Sequence, residues 1–471
     1  MLAIRYQLYV LLGGIGFLLL KLEGANPLFI QVCFTVLYLV VGLFEARVAR
    51  YRFLIMPPGF FMAYSFLTIM AAGIWYFATD QKLNAQFIVS DASILRGTWY
   101  TLVATQVLWL GYYVVPDRPV LGLRPNSSRR IPLWFILVLV VVSMVSFLIA
   151  VRLNMYGYTA DPAKVEYLSY LRFGVELGWL AIILLVLFEF DHPRLWLFLH
   201  LLLVGYFLIG LLYGSKSTAV MPLVLTIVTL YISSRRVGWR YLLATALGIV
   251  VAYSIIEPFR ILYGSGRNVG PVTSVAQLME LYLAAQDAAK DMETNYGLAF
   301  LERMNYTVPL AKALEFADQT GYMHSEEWGL LAQSPLYGVI PRVIWPTKPQ
   351  ANFGVWASVN IFELGEEATT STGITPQGYA YLVARLPGVI VFFFLFGILQ
   401  KLVFNLLALN RAFLPFYLLI LFNVGYPVSP WTFVAGTLQS LILLSPFLFL
   451  FAHWSRPSAK PVFSVARGAR E

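Results

Sequence analysis

The chain has 471 residues, of which 59% are hydrophobic and only 12% charged, and it carries a formal net charge of +9. That is too apolar for a water-soluble domain of ordinary make-up and predicts an all-α polytopic membrane protein. The single cysteine, Cys33, excludes an intrachain disulfide and a cysteine-built metal site, and four scattered histidines without paired spacing argue against a zinc hydrolase.

Crossing a hydrocarbon core of about 30 Å takes roughly 17 to 25 helical residues. Runs of that kind fall near 3–20, 27–44, 53–78, 97–115, 131–151, 171–190, 195–212, 218–233, 241–256, 386–408, 412–428 and 430–452, about twelve in all. The first contains Gly13, Gly14 and Gly16 and is followed by no A-x-A site, so it reads as an uncleaved signal anchor. With the N-terminus cytoplasmic, most Lys and Arg of the short loops fall on the inner side, among them Arg47, Arg50, Arg52, Arg129, Arg130, Arg235, Arg236 and the basic tail. Topology thus accounts for most of the positive charge, and a nucleic-acid partner is not needed. The predicted organisation is 1–256 with nine spans, 257–385 as one large outer loop, and 386–471 with three spans and a cytoplasmic tail.

Charged residues near the spans come next in chain order. Glu176 stands about one turn into the sixth run, with Arg172 four residues earlier on the same helical face. An ionisable residue inside a membrane is a functional candidate, although an Arg/Glu pair this near a helix end also suits a structural role. Two echoes, "LLYGSKS" (211–217) and "ILYGSGR" (261–267), place Lys216 and Arg267 at the outer mouth. Lys216 reads either as a ligand contact or as a charge complementing a helix C-terminal dipole. The first echo has the wrong glycine spacing for a phosphate-binding loop, and nucleotide binding is rejected.

A loop as long as 257–385 in a compact protein is usually functional. Its stretch 273–294 has capping-box spacing at Ser274 and Gln277 and helical apolar periodicity. A second helical stretch, 297–321, is expected to bend at Pro309 and stop at Gly321. On the outer face no nucleotide is at hand, so transfer chemistry there needs a donor that arrives through the membrane, such as a lipid-linked phosphate or diphosphate sugar. Arg260, Arg267, Arg342 and Lys348 all lie in this loop, and the guanidinium fork suits phosphate oxygens. A cation about 4 Å from a phosphate charge contributes roughly 4 kcal/mol at an effective dielectric of 20, before desolvation, so two or three hold a diphosphate without a metal. Headgroup snorkelling is the plain alternative, weakest for Arg342 between its prolines. In "MHSEEW" the imidazole of His324 stands beside Glu326 and Glu327, a pairing suited to general-base work. The carboxylates of the 273–294 stretch, Glu280, Asp287, Asp291 and Glu293, are further candidates that read mainly as a wet helix face.

The decapeptide "IPRVIWPTKP" (340–349), followed by "TPQGYAYLVARLPGVIVFFFLFGIL" (375–399), resembles the Wzy-type oligosaccharide repeat unit polymerases. The matching residues are Pro341, Arg342, Trp345, Pro346, Lys348 and Pro349, then Thr375, Pro376, Gly378, Tyr379 and Gly388; Gln377 stands where that family often has an acid. The resemblance implies a GT-C-like architecture in the bacterial inner membrane, both termini cytoplasmic and the large loop periplasmic. It implies transfer of a growing glycan from its polyprenyl diphosphate carrier to a sugar hydroxyl of a new lipid-linked unit, with no metal or other cofactor. Arg342 and Arg267 would stabilise the leaving diphosphate, His324 or Glu327 would take the acceptor proton, and Arg260, Lys216, Lys348, Trp345, Arg172 and Glu176 would bind substrate. The implied partners are lipid-linked oligosaccharides, membrane lipids, a flippase and a chain-length regulator. A glycan ligase of the same architecture and a transporter of lipid-linked sugar are the rival readings; the transporter is disfavoured because only the YGS echo hints at two similar halves. A structural scaffold would need none of the convergent cations.

Overall fold

The computed structural model describes residues 2–79, 88–118, 133–153, 169–188, 193–212, 214–233, 237–264, 276–277, 279–280, 282–284, 305–320, 333, 336–337, 340, 344–347, 353–363, 373–409, 413–426 and 430–454. Among these residues there is no strand. The first half comprises α1 (Leu2–Leu20), α2 (Pro27–Ala49), α3 (Pro57–Ser65), α4 (Ala72–Thr79), α5 (Asp91–Val114), α6 (Leu133–Arg152), α7 (Ser169–Phe188), α8 (Pro193–Leu212), α9 (Lys216–Ile232) and α10 (Trp239–Gly264). After it come α11 (Thr307–Thr320), α12 (Phe353–Asn360), α13 (Pro376–Val403), α14 (Leu414–Gly425) and α15 (Pro430–Trp454). A π-helical turn, Phe66–Ala71, joins α3 to α4, and another, Phe404–Ala408, ends α13.

Each apolar run of the sequence is a helix, as it must be where hydrocarbon satisfies no backbone group. Among the described residues, seven helices are long and apolar enough to cross a membrane: α1, α2, α3 with α4, α6, α8, α10 and α13. Stretches of α7, α9, α14 and α15 are apolar but shorter. The chain is therefore a multi-pass, all-α membrane protein. Helix α5 is different in kind. It carries Thr98, Thr101, Thr105 and Gln106 and is buried on nearly every side, which fits a central position rather than a lipid-facing one.

The tightest packing is between α5 and α13, which run in the same direction: Gln377 meets Thr101, Gly397 meets Leu108, and Lys401 pairs with Asp117 just past the end of α5. Glycine makes this approach possible. A Cβ on Gly111 would stand 2.0 Å from the Phe394 carbonyl oxygen, and one on Gly397 would stand 2.2 Å from that of Leu108. Small residues that bring backbones together are the usual means of helix association where the solvent is itself apolar.

At the end of the bundle where α5 terminates, one buried ion pair and a second pair with an exposed carboxylate tie the helices together. Arg5 of α1 donates through Nε (2.8 Å) and Nη2 (3.3 Å) to Glu45 of α2, which also accepts from Tyr9 (2.5 Å) and from Tyr113 of α5 (2.9 Å). The guanidinium lies 3.7 Å from the centroid of the Tyr113 ring. Lys401 pairs with Asp117 and lies 4.4 Å from the centroid of Tyr112, while the Asn405 amide donates to the Pro116 carbonyl (2.8 Å).

Helix α10 extends to Gly264 and α13 begins at Pro376, so helix reaches into both ends of the expected loop 257–385. One sequence expectation is corrected. Pro309 does not bend a helix: α11 starts at Thr307, and in a first turn proline's missing N–H has no intrahelical partner to lose. The run expected at 386–408 forms the second part of α13, which follows a break at Ala384 and Arg385. Of the stretch 273–294, the described positions 276–277, 279–280 and 282–284 are helical, and the rest lies outside the described residues.

Candidate functional site

The site is built where a backbone irregularity lets a second segment dock. The π turn at 66–71 shifts α3 and α4 out of the ordinary helical ladder. Two of its carbonyls take partners from elsewhere: Thr68 accepts from the Tyr306 N–H (2.9 Å), and Met70 accepts from the side-chain amide of Gln31 (3.1 Å). Asn305 caps α11 by accepting from the Thr307 N–H (2.9 Å) and from the Thr307 hydroxyl. Helix α11 then lies against α5 and α13. Its first turns meet Ile94 and Tyr76, and near its far end Asp318 accepts from Arg96 (2.5 Å) and Tyr381 (2.9 Å), while Glu315 accepts from the Ser90 N–H and hydroxyl (both 2.8 Å).

Beside this docking point lies a cavity of about 190 Å³ lined by Phe60, Tyr64, Tyr306, Ile374, Thr375, Pro376, Phe422, Asn423 and Tyr426. It is below the roughly 300 to 1,000 Å³ of drug-sized ligand sites, so it holds a single small group. Thr375 caps α13, its hydroxyl accepting from the Gly378 N–H (3.2 Å), which fixes the Thr375–Pro376 corner in the wall. The rings of Tyr64 and Tyr426 meet at a tilt, centroids 4.2 Å apart, and Phe60 meets Phe422 edge-on at 4.7 Å. The Tyr426 hydroxyl is buried beside the Thr68 hydroxyl, which donates to the Tyr64 carbonyl (2.9 Å). The Nδ2 of Asn305, next in chain to Tyr306, and the Oε1 of Gln377, two residues past Thr375, are buried and unpartnered among the described residues.

Helix α13 breaks nine residues into its course. Pro387 has no N–H to offer the turn before it, and its ring crowds the preceding backbone. The chain responds at Arg385, which takes φ +52°, a region that costs a side-chain-bearing residue of order 1–3 kcal/mol. Gly388 completes the bend, since a Cβ there would stand 2.3 Å from the Ala380 carbonyl oxygen. Arg385 is exposed beside this break. Sequence reasoning passed over it because "ARLPG" sits inside an apolar pattern; an Arg two residues before a proline within a membrane run was the available signal.

The sequence-derived candidates fare unequally. Arg342, Arg267, His324, Glu327 and Lys348 lie outside the described residues. Arg260 belongs to α10 and Arg172 to the first turn of α7, with both side chains outside what is described. Glu176 is half-buried in α7, seven residues after its start. Trp345 is half-buried, its ring 5.4 Å from that of Tyr337. Lys216 is corrected: it opens α9 rather than closing the helix before it, so its charge opposes the dipole. Its ammonium instead lies 3.9 Å from the centroid of the Tyr253 ring. Among the described residues no three His, Cys, Asp or Glu converge as metal ligands would. No protein-family model, no curated protein and no solved structure matches the chain.

Proposed function

We propose that the chain is a membrane-embedded glycan polymerase acting on polyprenyl-diphosphate-linked oligosaccharide repeat units at the outer face of the bacterial inner membrane. In the step, a sugar hydroxyl of the incoming unit attacks the anomeric carbon of the growing glycan. The carbon–oxygen bond to the carrier breaks, the polyprenyl diphosphate leaves with the bonding electrons, and the acceptor proton passes to a base, for which His324 and Glu327 are the candidates. Arg342 and Arg267 stabilise the departing charge, where electrostatic help is worth most, with Arg260, Lys348 and Lys216 as further cations. No metal is needed for a leaving group of this quality.

The observation that carries the reading is the location of the resemblance. Its second block, Thr375 to Tyr379, forms a capped helix start whose Thr375 and Pro376 wall a hydroxyl- and aromatic-lined cavity, and does not lie on a lipid-facing surface. A second reading, a transporter of lipid-linked sugar, draws on the break in α13, because discontinuous helices are characteristic of transport sites.

The readings separate in a deletion strain analysed for glycan length by gel. Loss of a polymerase leaves single repeats that are still capped onto their acceptor, loss of a ligase leaves long polymer stranded on its carrier, and loss of a transporter leaves repeats facing the cytoplasm. The residue-level test is Arg342→Lys, expected to lower polymer length and yield at least tenfold because an ammonium cannot make the forked contact. Unchanged polymer would remove Arg342 from diphosphate recognition.

A further inference from the structure

We infer that Arg385, at the break in α13, is a contact for the charged end of a lipid-borne diphosphate at the membrane boundary. The inference deepens the polymerase reading and rests on it for the ligand's biological form, while its chemistry stands on the break itself. Before the break the chain is packed away. Pro376 to Leu382 are all buried, Gly378 lies against Leu310 and Ala313, and the Tyr381 hydroxyl donates to Asp318 (2.9 Å). After the break, α13 exposes Val391, Leu395, Leu399 and Leu402, as a helix facing hydrocarbon does. Arg385 is an exposed charge at the junction of these two parts.

Its depth agrees with that position. At the far end of α13, Lys401 pairs with Asp117, whose exposed side chain marks one boundary of the bundle. At roughly 1.5 Å per residue, Arg385 stands about 24 Å along the helix from Lys401, against a hydrocarbon core of about 30 Å, and so lies near the opposite boundary. That is the level of lipid phosphates. Snorkelling would place an arginine there without disturbing the helix. Here the backbone leaves the helix, and Arg385 takes φ +52° and ψ −141°, a conformation natural to glycine and strained for a residue with a side chain. Strain of this kind persists where the surrounding structure imposes it, and it gathers at ligand sites. A guanidinium presented from such a bend, with Val391, Leu395 and Leu402 forming an apolar track beyond it, fits a molecule with a multiply charged head and a hydrocarbon tail. The guanidinium fork donates to the phosphate oxygens, and the tail lies along the track. Free pyrophosphate would use only the first of these contacts, and farnesol only the second.

The test uses the full-length protein in phosphatidylcholine nanodiscs and equilibrium binding of radiolabelled farnesyl diphosphate, with unlabelled pyrophosphate, farnesol and phosphatidylglycerol as competitors. Farnesyl diphosphate should bind, and each competitor should displace it at least tenfold less effectively than the unlabelled compound. Arg385→Gln should weaken binding at least tenfold. Arg385→Gly separates binding from structure: glycine suits the backbone there, so thermal unfolding should be unchanged or higher while binding falls as in Arg385→Gln. The inference falls if farnesyl diphosphate does not bind, if any competitor displaces it equally well, or if either variant binds like the wild type. It also falls if binding is lost in Arg385→Gly together with a lower Tm, which would make the side chain a structural pin. Glycan length in cells reports separately on the polymerase reading. Binding through Arg385 with no effect of the deletion on polymer sinks that reading and leaves the assignment of Arg385 standing, and the converse result does the reverse.

Discussion

Glu45 shows what a single residue does inside this bundle. It has no exposed surface, yet it accepts hydrogen bonds from Arg5, Tyr9 and Tyr113, so its charge and both oxygens are fully used. Such a pair gives little net stability over an apolar substitute, but removing one partner strands a buried charge. Glu45→Gln should therefore destabilise the protein by about 3–5 kcal/mol in thermal unfolding, through the uncompensated Arg5. Arg5→Met with Glu45→Gln should cost less than Glu45→Gln alone, because the amide oxygen still accepts from one tyrosine and the amide N–H can donate to the hydroxyl oxygen of the other, while no charge is left unpaired. A double variant as unstable as the sum of its singles would mean the two residues act independently. The sequence did not flag Glu45, since the partners are forty positions apart and only the packing of α1 on α2 brings them together. Glu176 was legible because its neighbouring cation is on the same helix.

At the scale of elements, the contact between α5 and α13 is set by Gly111 and Gly397. Gly397→Ala puts a methyl against backbone atoms that belong to another helix and cannot rotate away. A loss of about 1–3 kcal/mol is expected, the range for overpacking a fitted core. Gly14→Ala is the matched control. Its Cβ meets nothing within 4 Å, and alanine is the better helix former, so stability should be unchanged or slightly raised. Equal effects at the two positions would contradict close backbone packing as the reason for Gly397. The helices themselves were readable from apolar runs, and their errors have specific causes. The break of α13 was missed because hydropathy does not register a change of φ at Arg385, and the start of α11 was misplaced because the cap is Asn305, inside a stretch of otherwise suitable helical pattern.

For the whole molecule, orientation is the open quantity that the loop charges predict. Cys33 is the only cysteine, so a Cys33→Ser background allows single reporters. With the predicted topology, a membrane-impermeant maleimide added to intact spheroplasts should label Thr370→Cys, and should label Ser127→Cys only after lysis. Labelling in the opposite order would invert the chain and move the candidate cations to the cytoplasmic side.

The sequence by itself determined that this is a multi-pass helical membrane protein, because the need to satisfy every backbone group in hydrocarbon leaves long apolar runs one conformation. It also marked Thr375 to Tyr379 as a segment of interest. Only the tertiary structure decided that this segment faces a cavity together with Tyr64, Tyr306 and Tyr426, that Lys216 begins a helix, and that Arg5 belongs with Glu45. The physical reason is the same in each case. Insertion into the membrane depends on local hydropathy, which a sequence carries in full, whereas a cavity depends on which helices share a glycine contact or a displaced carbonyl, and those partners lie tens to hundreds of positions apart.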